Sequence, residues 1–159
     1  MESLATGILG IFMSSLLFAA AWYILVLAAR WKVFTKAGLA GWKSLIPLYS
    51  EYCTFKIAWS TVYFWAVLIG GAISGFLTEM NGDGESTFLG FVIAVLGLTI
   101  GIINLFMNTK LAGRFGHGVL FGLGLMFLTP VFTLILGLGE SEFLGNPEEN
   151  LPPRRAFYM

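Results

Sequence analysis

The chain reads as an all-α integral membrane protein, a four-helix bundle with an interfacial helical hairpin between its first and second spans. Three observations predict this. Of 159 residues, 57% are apolar and only 11% are charged, against roughly 25% charged in soluble domains, too few to cover a water-facing surface. The charges fall in short clusters that leave uncharged stretches of membrane-crossing length. The clusters also alternate in sign along the chain, as loops on opposite sides of a bilayer do.

The first span covers about residues 6–29, more than the roughly 20 residues needed to cross about 30 Å of hydrocarbon, and Arg30 and Lys32 close it. Its start, Met-Glu-Ser-Leu-Ala-Thr, is acidic where a secretory signal is basic, and no A-x-A-like site follows, so the span is read as permanent. The second span, 61–77, opens with Tyr63, Phe64 and Trp65 at the headgroup level. Ser60 or Thr61 is placed to cap it. Asn81-Gly82-Asp83-Gly84 supplies turn chemistry for an exposed acidic loop over 78–87.

The third span, 88–107, is uncharged throughout, and the fourth, 119–138, is interrupted at Thr129-Pro130. The proline removes one backbone hydrogen bond, which Thr129 or a neighbouring helix can replace, so a kink is expected there. Residues 1–139 form one transmembrane domain on this reading. Residues 140–159, with Pro147, Pro152 and Pro153 among acids, form a flexible extracytoplasmic tail.

Orientation follows the Lys/Arg excess of cytoplasmic loops. Arg30, Lys32, Lys36, Lys43 and Lys56 lie between spans one and two, and Lys110 and Arg114 between spans three and four. The predicted arrangement is a multi-pass protein of a cell membrane, the inner membrane in a bacterium, with both termini extracytoplasmic. Association inside lipid depends on small residues that let backbones approach. Gly90, Ala94, Gly97 and Gly101 on span three, Gly71 and Gly75 on span two, and Gly118 and Gly122 at span four offer such seams, within one chain or between copies.

Residues 30–59 mix rings and cations. Trp31, Phe34, Trp42, Tyr49, Tyr52 and Phe55 alternate with Arg30, Lys32, Lys36, Lys43 and Lys56, which suits a segment lying in the interface with rings at the acyl boundary and ammonium groups at the phosphates. Pro47 divides it into two short helical pieces.

Lys36-Ala37-Gly38, Gly41-Trp42 and Ile46-Pro47-Leu48-Tyr49 resemble the K-A-G-x-x-G-W and I-P-x-Y motif of a family of small bacterial membrane proteins of unknown function, often labelled signal peptidase I. Phe115-Gly116, Gly122-Leu123-Gly124-Leu125, Pro130 and Gly137-Leu138-Gly139 are similar to that family's later signature. Ser50 stands where the family pattern usually has asparagine. The resemblance implies a multi-span fold and no activity. A serine–lysine peptidase needs a buried neutral lysine beside a serine in a folded extracytoplasmic domain. Lys43-Ser44 are instead placed in a cationic inner loop, so that activity is not expected.

Other chemistry is sparse. Cys53 is the single cysteine and is read as packed or interfacial; it forms neither an intramolecular disulfide nor a metal site. His117 is the single histidine, read as interfacial in a glycine turn. No catalytic residue, metal or cofactor is assigned. A net charge of zero leaves no global field for nucleic acid. The functional expectation is a non-enzymatic membrane component whose inner face, through Lys36, Trp42, Lys43, Tyr49, Lys56, Lys110 and Arg114, binds anionic lipid headgroups or a partner protein. The alternative is an oligomeric channel or small transporter with a polar pathway at Asn104 and Asn108. Expected partners are membrane lipids, a second copy or another membrane protein.

Overall fold

The computed structural model describes residues 2–82 and 86–153 and is all-helical among them. Helix α1 runs Glu2–Lys36, α2 Pro47–Ala58, α3 Thr61–Asn81, α4 Thr87–Arg114, α5 Val119–Phe127 and α6 Thr129–Leu138, with 3-10 turns at Gly41–Leu45 and Pro147–Glu149. Three of these, α1 (from Leu9), α3 and α4, are long and apolar enough to cross a membrane. The acidic turn expected after Gly82 falls on Asp83–Glu85, outside the described residues, as do Arg154 and Arg155.

Arg30 and Lys32 do not stop α1. It continues to Lys36 because both side chains lie on a helix whose other faces carry Ala29, Val33 and Phe34 into the core. The helix ends on Gly38, whose φ of 74° admits the left-handed turn that lets the Leu39 N–H donate to the Phe34 carbonyl at 2.9 Å. Helix α4 ends the same way. Gly116, with φ 77°, lets the His117 N–H donate to the Ala112 carbonyl at 2.9 Å. In both places a short helical piece follows and the next helix opens on a proline, Pro47 in α2 and Pro130 in α6. The Lys36-Ala37-Gly38 and Arg114-Phe115-Gly116 segments thus share a way of ending a long helix and restarting a shorter one.

The stretch read as a fourth span kinked at Thr129-Pro130 is two helices folded against each other. Helix α5 stops at Phe127 and α6 begins at Thr129. Phe121 and Phe132 meet edge to face at 4.9 Å, and His117, before α5, shares a 3.0 Å hydrogen bond with Ser141, after α6. Eleven residues of uninterrupted helix would hold Phe121 and Phe132 about 16 Å apart. Pro130 has no N–H to offer the Met126 carbonyl, and the Thr129 hydroxyl, which donates to the Leu125 carbonyl at 2.7 Å, also reaches the Met126 carbonyl at 3.4 Å. At the fold, a Cβ on Gly124 would lie 2.3 Å from the Phe132 ring, and one on Gly122 would lie 2.5 Å from the Thr109 backbone of α4.

The consequence is that both ends of the α5–α6 hairpin lie at the end of the molecule where α1 and α4 terminate. The core sits there too, around Phe34, Cys53, Ile57, Leu111, Phe115, Leu125 and Leu136. Residues 140–153 pack onto this end: Phe143 is 1% exposed and meets Phe115 in a tilted ring contact at 5.4 Å, and the Leu144 N–H donates to the Arg114 carbonyl at 2.7 Å. The tail was expected to be loose because prolines and acids dominate it; one phenylalanine and one asparagine suffice to dock it. Residue 153 therefore lies near the C-terminal end of α1. Away from the packed end, Leu9 to Leu25 of α1 are exposed, and Gly71, Gly75, Gly97, Gly101 and Gly118 face open space. Of the expected seams, only Gly122 is closed against a neighbour's backbone.

Candidate functional site

Two features at the packed end bring polar chemistry to otherwise apolar walls. The first is a cavity of about 380 Å³ between α1, α2, α4 and the α5–α6 hairpin. Its apolar lining comes from Phe34, Met107, Leu125, Met126 and Leu136, and its polar lining from Arg30, Glu51, Thr54, Asn104, Asn108, Thr129 and Thr133. The register of α4 sets both asparagines on the cavity side, one turn apart. Each amide nitrogen donates to a carbonyl of its own helix, Asn104 to Ile100 and Asn108 to Asn104, both at 2.9 Å. Among the described residues, no donor reaches either Oδ1.

Arg30 and Glu51 form the cavity's charged edge. The Arg30 Nη1 donates to Glu51 Oε1 at 3.2 Å and to the Ser50 hydroxyl at 3.4 Å, joining α1 to α2. Six residues of helix put Arg30 about 9 Å inside the level of Lys36. In the sequence Arg30 marks the close of the first span; nothing in the spacing of Arg30 and Glu51 signals that α2 folds back to pair them.

The second feature is an exposed ledge of rings and cations. Trp42 and Tyr49 stack at 6.5 Å, Tyr49 and Tyr52 at 5.8 Å, and the Lys43 ammonium lies 5.6 Å from the Tyr49 ring centre. Trp42 is 51% and Leu48 65% exposed, with Leu45 and Ile46 beside them. Beside the ledge Gly41 lies close against Trp31, where a Cβ would approach the indole to 2.2 Å.

The seven cations and rings assigned to one binding face do not share one environment. Trp42, Lys43 and Tyr49 form the ledge, and Lys56 is half-buried further along α2. Lys36 is buried and donates to the Leu136 and Gly139 carbonyls at 2.8 and 2.6 Å, satisfying the open C-terminus of α6. Lys110 and Arg114 both reach Glu148 of the tail, at 3.3 and 3.4 Å. Lys110 also lies 5.5 Å over Trp59, and Arg114 donates to the Ala58 carbonyl at 3.2 Å.

The tail itself is a set of caps. The Asn146 amide donates to the Lys56 and Trp59 carbonyls, both at 2.7 Å. Glu149 accepts from the Thr61 N–H at 2.7 Å and from its hydroxyl at 2.9 Å, at the N-terminus of α3. Burial alone would raise the Glu149 carboxyl, but the bonds from Thr61 and Ser60 and the charge of Lys56 outweigh it and hold it below 4.5. Burial raises the Cys53 thiol above 9.0 against the opposing charges of Lys43 and Lys56, as suits a packed thiol. No group of three or more His, Cys, Asp and Glu among the described residues is arranged to hold a metal.

The profile of a family of unknown function (DUF5684) matches residues 42–146, a stretch that opens on Trp42 of the ledge and closes on Asn146 of the tail. No curated protein and no solved structure matches the chain at a significant level.

Proposed function

The chain belongs to that family of unknown function, and on its own geometry we propose that it is a non-enzymatic multi-pass protein of a cell membrane whose ledge binds anionic lipid headgroups. Helices α1, α3 and α4 span; α5–α6, at about 14 and 15 Å, is re-entrant, each arm reaching about halfway through the hydrocarbon. The packed end faces the cytoplasm, since Arg30, Lys32, Lys36, Lys43, Lys56, Lys110 and Arg114 all belong to it. The observation that carries the reading is the ring ladder Trp42–Tyr49–Tyr52 with Lys43 on it. Aromatic faces and apolar side chains at one level, with an ammonium group beside them, suit the depth of the acyl–phosphate boundary. Lys43 and Lys56 supply the attraction to phosphate, while Lys36, Lys110 and Arg114 serve the fold.

The test is competition between phosphatidylglycerol and phosphatidylcholine for the purified protein, read by native mass spectrometry. At about 1 kcal/mol for each basic residue, Lys43→Gln with Lys56→Gln lowers the preference for the anionic lipid by roughly thirtyfold. Equal retention of the two lipids by the wild type, or an unchanged preference in the double variant, overturns the reading.

A second reading is favoured by one observation, the cavity beside Asn104 and Asn108. A re-entrant hairpin lining a polar cavity is the arrangement in which irregular backbone is tolerated at membrane depth. On this reading the protein is a small transporter or oligomeric channel, and solute flux in proteoliposomes that is lost with Asn108→Leu tests it.

A further inference from the structure

The cavity's charge pattern says what it can accept. Its charged edge is one guanidinium and one carboxylate joined through a single nitrogen–oxygen contact, Arg30 Nη1 to Glu51 Oε1. The other N–H groups of Arg30 and the other oxygen of Glu51 take no partner among the described residues. Further in, Asn104 and Asn108 offer two carbonyl-type oxygens without donors, and Thr133 offers a hydroxyl. The remaining wall is aliphatic, aromatic and thioether.

A ligand carrying one charge would pair with one member of the Arg30–Glu51 bridge and leave the other alone at membrane depth, which is costly. A ligand carrying both signs engages both members at no net change of charge. Its cationic end finds Glu51 and the asparagine oxygens, its anionic end finds Arg30, and an apolar portion finds Phe34, Met107 and Leu125. A volume of about 380 Å³ lies in the range of small-molecule sites.

We propose that this cavity is a binding site for a zwitterion bearing a primary ammonium and an anionic group next to a modest apolar portion. Two sources carry that chemistry: a free amino acid with an aliphatic side chain, and the headgroup of a phosphatidylethanolamine. The inference rests on the cavity reading above and names its substrate class.

Equilibrium binding to the full chain in detergent tests it with matched probes. In the first arm these are L-leucine, 4-methylpentanoate, which lacks the ammonium, and 3-methylbutylamine, which lacks the carboxylate. In the second they are dihexanoylphosphatidylethanolamine and the net-anionic dihexanoylphosphatidylglycerol. The expected result is saturable binding of the zwitterion in one arm or both, the responding arm identifying the source. The single-charge analogues bind at least about tenfold more weakly, and Arg30→Gln and Glu51→Gln each reduce zwitterion binding by at least about tenfold.

Asn108→Leu and Thr133→Val leave the ion pair in place and carry the test if the charge variants fail to fold; each weakens binding several-fold. The proposal is overturned if neither zwitterion binds, if a single-charge analogue binds as tightly, or if folded variants bind unchanged. Zwitterion binding without flux in proteoliposomes supports this site while removing the transport reading; flux without zwitterion binding does the reverse.

Discussion

Asn146 has no solvent exposure, and its amide nitrogen is the donor to two carbonyls at the end of α2. A helix terminus leaves its last carbonyls without partners, and burying them unsatisfied costs about 1–3 kcal/mol apiece. Asn146→Ala strips both at once, so it should destabilise the folded chain by about 2–4 kcal/mol, read as a lowered Tm in detergent; an unchanged Tm would contradict the assignment. Lys36 is the same device at the end of α6. Neither role was legible in the sequence, because a cation or amide in a loop carries no sign of which distant carbonyl it meets. Lys36 and its neighbours looked like phosphate ligands for that reason. What was legible were the positions whose constraint is local: the Ser60 cap, whose hydroxyl accepts from the Val62 N–H at 3.4 Å, and the Thr129 hydroxyl that covers for Pro130.

At the level of elements, the tail from Glu140 to Pro153 is an ordered strap whose acids close on the ends of α3 and α4. Its attachment depends on pH in a definite sense. Glu149, held below its ordinary value, binds a proton less readily docked than free. Docking is therefore stabilised in full above the unfolded value of about 4.5, and the contribution is lost as pH falls through the lower folded value. The Thr61 amide, hydrogen-bonded to that carboxylate, reports the event: its proton shift should move upfield in a transition centred below 4.5, and Glu149→Gln should abolish the transition. A midpoint above 4.5 would contradict the mechanism. The α5–α6 hairpin is the element that sequence pattern handled least well. Twenty apolar residues with one proline fit a kinked span by length alone. What folds them back is non-local: Gly122 against Thr109, Gly124 under Phe132, and Gly137 against the Ala29 carbonyl. The glycines of the later motif mark those contacts, but a glycine does not announce its partner. The long helices α1, α3 and α4 were readable because uninterrupted hydropathy over 20 or more residues has few other solutions.

For the whole molecule, the fold-back decides, on the membrane arrangement proposed above, which side residue 153 reaches. A straight fourth span would carry residues 140–159 across and leave Arg154 and Arg155 opposite the other seven basic residues. The hairpin instead returns the chain to the end where α1 and α4 terminate, and Leu144, Asn146, Glu148 and Glu149 hold it there by bonds to Arg114, Lys56, Lys110 and Thr61. On the orientation proposed above, the seven basic residues from Arg30 to Arg114 obey the positive-inside rule together. The same orientation leaves Glu79, near the far end of α3, on the opposite side. Such one-sidedness is what sets orientation during insertion, and it needs no help from a fourth crossing. A phosphatase reporter that is active only outside the cytoplasm should therefore be silent when fused after Met159 and active when inserted at Gly84. A thiol placed at Asp83, in a chain whose Cys53 is replaced by alanine, should react with an impermeant maleimide in intact cells, whereas one placed at Pro152 should react only after permeabilisation. Phosphatase activity after Met159 would mean that α5–α6 straightens in the bilayer, and with it the cavity walls at Leu125, Thr129 and Thr133 would be lost.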